Sequence, residues 1–423
     1  MANIGRTIKK TLGLMLATAT LLSITACGAN FGSQVKLNVL APEKLVKKGG
    51  WIQTMEDAFR KEHPEVSFIN TPIKQFDRSY QPATNKDKYP KVSADVLLFK
   101  SNTMHYLIKA GILGKLSKDS EKQIEKQNPT PLLNSLLKGN SHYGIPYTSD
   151  TWFMYYDKSK LSENDVKSLN TMLQKQKVAL NLRGNDLFAG FYIDSCINFG
   201  AYSPKTDSID SVNFNENCYP ITKYLTKLVN EPNFINAAGD TGIESLRNGS
   251  AAAYFSGIWE ANDVKKILGK NFAAAPFPKV RMDLGYDPEE YDPTANLEYQ
   301  MKQVAGSQAI GYNAKSKHRD LAEKFAAFLG STKSQKKAYE LQKVVPSDKT
   351  LKSFVANDPA ASAQMQSVEK TSVNQPLDYK AYEAINYLSS LSNDISEKTL
   401  NDDSQIFAYF SYAEESVNKQ LRD

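Results

Sequence analysis

Apolar and polar positions along this 423-residue chain switch repeatedly between two periods. Val35, Leu37 and Val39 are separated by polar residues, a period of two that predicts a strand with one buried face. Gly49-Gly50 then breaks the chain. Trp51, Met55 and Phe59 recur every four residues, which predicts a helix stopped by His63-Pro64. Residues 66–69 read as the next strand. Val96-Leu97-Leu98-Phe99 is an unbroken apolar run, expected of a strand covered on both faces of a parallel sheet. Met104, Leu107 and Ile108 predict a helix capped by Gly111.

The same exchange recurs downstream. Residues 152–156 are strand-like, and Pro220, Tyr224, Leu225 and Leu228 suit a helix with proline in its first turn. Ile243 and Leu246 begin another helix, ended by Gly249, before a strand at 251–255. Leu321, Phe325, Phe328 and Leu329 form a helical face closed by Gly330, and the chain from about 344 onward reads as helices. Residues 281–296 are rich in Asp, Glu, Pro and Tyr without periodicity, which predicts a surface excursion. Short buried strands alternating with amphipathic helices predict open α/β sheets. No 20–50-residue period argues for a solenoid or propeller.

The first residues follow a different rule. Arg6, Lys9 and Lys10 precede an apolar stretch at 12–24, the length of a secretory core and shorter than the ~20 residues that span a bilayer. Ile24-Thr25-Ala26-Cys27-Gly28 resembles the lipobox of bacterial lipoproteins. That resemblance implies cleavage before Cys27, acyl chains on its sulfur and amine, and durable membrane attachment. An ordinary secretory signal with an incidental cysteine is the alternative. Residues 29–34 read as a tether containing Gly, Asn and Ser.

Composition narrows the function classes. Without the leader roughly 400 residues remain, enough for two or three domains. Apolar residues make up 41% of the chain, ample for packed cores. The net charge of +6 comes from 52 basic residues interleaved with 46 acidic ones, with no basic block alternating with aromatics, so nucleic acid is not an expected partner. Cys196 and Cys218 remain after Cys27 is assigned to lipid. Outside the cytoplasm they are free to form a disulfide contributing ~3 kcal/mol, and two buried thiols are the alternative. The four histidines are scattered, and no nucleophile elbow, zinc helix, P-loop or dinucleotide turn is present. Asp287, Glu289, Glu290 and Asp292 lack EF-hand spacing and read as a solvated loop. No metal or cofactor is expected. Counting carboxylates leaves a glycosidase pair open.

Several blocks occur in a telling order. Asp95-Val96-Leu97-Leu98-Phe99 is followed by Ala110-Gly111-Ile112-Leu113, and Tyr143-Gly144-Ile145-Pro146 leads to Tyr155-Tyr156-Asp157-Lys158. Asn248-Gly249-Ser250-Ala251-Ala252 precedes Ser256-Gly257-Ile258-Trp259, with Ile258 where a proline is usual. Gly311-Tyr312-Asn313-Ala314, the 322–329 helix face and Val345-Pro346-Ser347 complete the series. Together they resemble the extracellular solute-binding proteins of bacterial ABC importers, within them the maltose/maltodextrin type. The resemblance implies an α/β, two-lobed periplasmic-binding-protein-like fold, each lobe an open, mostly parallel sheet flanked by helices. Three hinge crossings would fall near 146–149, 304–305 and 345–347. Residues 1–26 would be signal peptide and 27–34 the anchored tether. The N-terminal lobe would hold 35–147 and 305–346, the C-terminal lobe 148–304 and 347–423.

It also implies a ligand and a site. Pyranose faces pack on flat aromatics, while carboxylates, amides and basic groups bond the hydroxyls. By position Trp259 matches the stacking tryptophan, and Asp150 a cleft carboxylate. Phe99, Phe188 and Tyr382 match further cleft aromatics, and Glu43 with Lys44 an early polar pair. Plain packing or turn roles are the alternatives for these residues. Asn102 and Thr103 stand where maltose binders carry an Asp-Arg pair, a departure that weakens or redirects hydroxyl recognition. The implied protein is a monomeric sugar-transport lipoprotein on the outer face of a Gram-positive cell membrane. It delivers an oligosaccharide intact to ABC permease subunits. Rival readings are another glycan, a polyol or other small solute, a lipid-anchored glycan hydrolase, or an adhesion lipoprotein.

Overall fold

The computed structural model describes residues 34–74, 92–184, 186–203, 208–282, 297–374, 383–400 and 402–422. The leader, Cys27, the tether before Gln34, the acidic run 287–292 and Tyr382 lie outside the described residues.

Ten strands build two five-stranded sheets among the described residues. In chain order they are β1 (Val35–Pro42), β2 (Val66–Ile73), β3 (Val96–Lys100), β4 (Ile145–Ser149) and β5 (Trp152–Asp157). Then come β6 (Val178–Leu180), β7 (Phe234–Asn236), β8 (Ala253–Gly257), β9 (Phe272–Ala275) and β10 (Ser307–Tyr312). The first sheet has the order β2-β1-β3-β10-β4, the second β7-β6-β8-β5-β9. β1 pairs in parallel with β2 and β3, while β10 runs against both β3 and β4. In the second sheet β5 runs against β8 and β9. Each sheet thus carries one reversed strand, and the two-lobed, mostly parallel α/β architecture holds.

The predicted periodicities explain the layers. Leu37, Val39 and Ala41 of β1 are buried at alternate positions, and Val96 to Phe99 of β3 are all buried because helices and loops cover both faces. Helix α1 (Trp51–Glu62) buries Trp51, Met55 and Phe59, and His63 ends it. The Phe59 ring lies 5.1 Å from Phe325 of α3 (Arg319–Leu329), so strand and helix faces close one core. Trp51 Nε1 donates to Ser334 Oγ at 2.8 Å, which satisfies the buried indole and ties α1 to α4 (Thr332–Gln342). α2 (Cys218–Leu228) belongs to the second core, with Phe188, Phe191, Tyr192 and Phe255. Cys196 and Cys218 are joined there as a disulfide, Cα atoms 5.1 Å apart.

Three expectations shift. The strand placed at 251–255 lies at Ala253–Gly257, because Gly249 adopts a left-handed φ of 73° and the Ala251 N–H bonds back to Ser245 O. Arg281 and Met282, expected in the surface excursion, belong instead to a strand, Lys279–Met282, paired with Leu297–Gln300. The helical C-terminal region is interrupted by the short strand Ser372–Val373, paired in parallel with Gln303–Val304.

The chain passes from the first sheet to the second with only Asp150 and Thr151 between β4 and β5. It returns through residues 303–307, where the Asp150 N–H donates to Gly306 O at 2.8 Å. The side chain of Gln303 acts as a spare strand residue: its Oε1 accepts from Trp152 N at 2.7 Å and its Nε2 donates to Trp152 O at 2.8 Å. A later pass follows α4, where Ser347 N donates to Tyr147 O at 3.2 Å. It leads to α5 (Pro359–Lys370), packed on β5 and β9. From α5, the buried Gln364 Nε2 donates to Ser149 O at 2.8 Å and Ser149 Oγ at 2.9 Å.

Candidate ligand-binding cleft

Strand direction decides where a site can form. β1, β3 and β4 run the same way, so Pro42, Lys100 and Ser149 end at one edge of the first sheet. In the second sheet the carboxyl end of β8, Gly257, pairs with Trp152 at the start of β5. The short link through Asp150 and Thr151 sets these edges beside each other. Open α/β sheets bind ligands at the carboxyl ends of their strands.

On the second-sheet side, the turn Ile258–Glu260 follows β8 and presents Trp259, 53% exposed. A large aromatic left that open is unusual in a well-packed lobe. Its indole meets Trp152 edge to face, centroids 4.9 Å apart at 88°. That contact fixes the ring without covering it. A Cβ at Gly257 would run into the Trp259 ring, so glycine is required there by close approach. The turn is held from below. Tyr155 Oη donates to Gly257 O at 2.7 Å, and burial pushes this phenol's pKa up. Tyr254 Oη donates to Glu260 Oε1 at 3.3 Å. Burial drives the Tyr254 phenol up to about 12 and raises the Glu260 carboxyl as well.

On the first-sheet side, Lys100 Nζ and an Asp150 carboxylate oxygen form a partly buried ion pair at 2.8 Å. The pair links the end of β3 to the crossing. The 3₁₀ turn Ser101–Thr103 follows; Ser101 Oγ accepts from Ser307 N at 3.1 Å and Thr103 Oγ1 donates to Lys100 O at 2.7 Å. These bonds fix the turn and leave Asn102 as its exposed member. Glu43 and Lys44 are exposed just beyond β1, and the Lys44 carbonyl accepts from Gln342 Nε2. The Asp150 pair and Asn102 therefore gather on the edge where the chain crosses, with Glu43 and Lys44 at the end of the neighbouring strand.

Two expected cleft aromatics are corrected. Phe99 is fully buried, its ring so close to Gly144 that a Cβ there would sit 2.7 Å away. β3 is covered on both sides, so its last aromatic fills core rather than meeting a ligand. Phe188 is also fully buried, its ring 5.2 Å from Tyr192. Tyr382 is outside the described residues. Sequence reasoning missed Trp152 and Lys100. The signals were there: a tryptophan opens a strand just after Asp150, and one cation ends an otherwise apolar run. Among the described residues no group of His, Cys, Asp and Glu is arranged to hold a metal ion, and no helix is long and apolar enough to cross a membrane.

Comparison with known proteins agrees with this architecture. The galactooligosaccharide-binding protein of Bacillus subtilis (strain 168) is 25% identical over 375 residues, 83% of each chain. A structure solved with acarbose is 29% identical, covers 92% of this chain and 100% of its own, and superposes with a TM-score of 0.75. The ligand-free maltodextrin-binding protein MalE1 from L. casei BL23 shares the fold at 21% identity, with coverage of 92% and 100% and a TM-score of 0.77. Residues 54–364 match the family model of bacterial extracellular solute-binding proteins. With most of its length in that match, the chain belongs to the bacterial extracellular solute-binding protein family.

Proposed function

We propose that this protein is the lipid-anchored receptor of an ABC importer, capturing an oligosaccharide of maltodextrin type between its two lobes and presenting it to the permease. The observation that carries the reading is Trp259: an exposed indole, braced edge to face by Trp152, itself two residues along the chain from Asp150 of the partly buried Lys100–Asp150 pair. Sugars need that combination. An indole face takes the apolar side of a pyranose, and the ion pair offers a donor and an acceptor to its hydroxyls. Asn102, Glu43 and Lys44 would add polar contacts from the first lobe, with Tyr382 a further aromatic. The lobes are 35–147 with 305–346, and 148–304 with 347–423, joined by three crossings. A ligand touching both lobes favours the closed form, and that differential affinity is the signal a permease reads. Cys27 carries the acyl chains that keep a monomeric receptor beside its transporter on the outer face of the membrane.

A second reading is a galactose-based oligosaccharide. It is favoured by the name of the Bacillus relative and by Asn102-Thr103 in place of an acidic-basic pair. Calorimetric titration of the purified chain with maltotetraose and with galactotriose separates the two. Saturable heat with one of them, and sugar recovered intact afterwards, is the expected outcome. Binding of peptides or metal chelates with no response to any oligosaccharide would overturn the reading. Replacing Cys27 with serine should abolish palmitate incorporation and release the protein from membranes.

A further inference from the structure

The C-terminal helix α6 (Asp403–Arg422) packs beside α2 and the antiparallel strands Ile197–Phe199 and Val212–Phe214. Between them lies a cavity of about 540 Å³, lined by neither Trp259 nor the Lys100–Asp150 pair. We propose that this groove is a second saccharide-binding site, distinct from the interlobe cleft, with a pyranose ring seated on Phe407.

The groove is built rather than incidental. One face of α6 lines it through Phe407, Ser411, Glu414, Glu415, Asn418 and Arg422, spaced as successive turns of a helix demand. Two of these residues bolt the strands to the helix. Glu414 Oε2 accepts from Phe214 N at 2.8 Å. The Asn418 amide accepts from Val212 N and donates to Val212 O, both at 2.8 Å. Cys218, bonded to Cys196, is part of the lining, so a covalent link fixes the start of α2 against the strand pair. Asn215 Oδ1 accepts from Asn217 N at 2.9 Å and holds the turn between them.

Its chemistry suits a sugar. Tyr219 and Phe407 stack with centroids 4.7 Å apart and planes 9° from parallel. Lys223 Nζ lies over the Tyr219 ring at 5.9 Å, while Phe407 remains 59% exposed. A flat apolar face is therefore held open at the groove. Around it the side chains of Glu216, Ser411, Glu415 and Arg422 make no hydrogen bond or ion pair with other described residues. They supply acceptors, a hydroxyl and a planar donor fork, which together match the alternating hydroxyls of a carbohydrate. A purely acidic groove would select a cation and a purely apolar one a helix; here both charge signs flank one aromatic platform. The volume falls within the ~300–1,000 Å³ of small-molecule sites, room for a short oligosaccharide.

The test is titration of the full chain, purified in detergent, with maltotetraose and with galactotriose, in four forms: wild type, Trp259→Ala, Phe407→Ala and the double variant. Trp259→Ala should retain binding of at least one of these sugars, and adding Phe407→Ala should weaken that residual binding by about tenfold or more. Phe407→Tyr, which keeps the flat ring, should restore it. Phe407 is mostly exposed, so its variants should keep the wild-type melting temperature. Loss with Phe407→Ala alone, and no effect of Trp259→Ala, would support the groove while sinking the cleft reading. Wild type should take up two saccharides per chain and Phe407→Ala one; a single saccharide per wild-type chain, or an uptake unchanged by Phe407→Ala, would overturn the second site.

Discussion

At the residue scale, burial separates aromatics that hold the fold from those free to hold a ligand. Trp259 and Phe99 both follow from the same family resemblance, yet one is half open and the other sealed. Trp259→Ala should weaken oligosaccharide binding by at least ~1 kcal/mol and leave the denaturation midpoint nearly unchanged. Phe99→Ala should instead cost ~3–5 kcal/mol of stability, read by denaturant unfolding, because it opens a cavity against Gly144 and Gly311. The buried Glu56 poses a different problem. Its Oε2 accepts from Asn70 Nδ2 at 3.0 Å, but burial, the largest influence, carries its pKa up to about 7. Asn70 pulls it down, Asp57 pushes it up and Arg60 opposes. The folded state thus binds this proton more tightly than the unfolded chain. The contribution is fully present below about pH 4.5 and is lost as pH rises through about 7. Glu56→Gln should therefore raise stability at about pH 8 by roughly 1–3 kcal/mol, and much less near pH 4.5, in parallel denaturant melts. His105 works the other way. Burial, then Lys109 and Lys138, hold it down at about 4, so its contribution is present above about pH 6.5 and lost as pH falls through about 4.

At the element scale, long periodic segments were legible and side-chain destinations were not. The every-fourth spacing of Trp51, Met55 and Phe59 marks a helix whatever surrounds it, and β3's apolar run marks a doubly covered strand. The run already implies a buried Phe99; it is the family resemblance that puts this ring in the cleft, because a position in a motif does not say which space a side chain fills. The strand-like run that opens at Trp152 gives no sign of its edge-to-face contact with Trp259, which joins residues over a hundred positions apart. Gln303 carries no local signal at all; its role depends on a backbone 151 positions away. The strand pair beside α2 is likewise held by a long-range link, the Cys196–Cys218 disulfide. Replacing both cysteines with serine should lower stability by ~2–4 kcal/mol without changing affinity at the cleft, as thermal unfolding and sugar titration of the same variant would show.

At the scale of the whole molecule, two sheets that could each stand over its own core are coupled through very little chain. Asp150 and Thr151 are the whole of the first link, and amide side chains from Gln303 and Gln364 satisfy the backbone where it crosses. Such a junction lets two rigid lobes move about a few residues while their cores stay packed, the geometry of hinge closure. The tryptophan pair rides on one lobe and the end of β3 on the other, so a solute between them would join both sides at once. Binding of an oligosaccharide between the lobes is open to a direct check, a crystal structure of the chain with its tightest-binding oligosaccharide. The expected result is a sugar ring against Trp259, with hydroxyls reaching the Lys100–Asp150 edge. An empty cleft, with saccharide found only in the α6 groove or elsewhere on the surface, would contradict it.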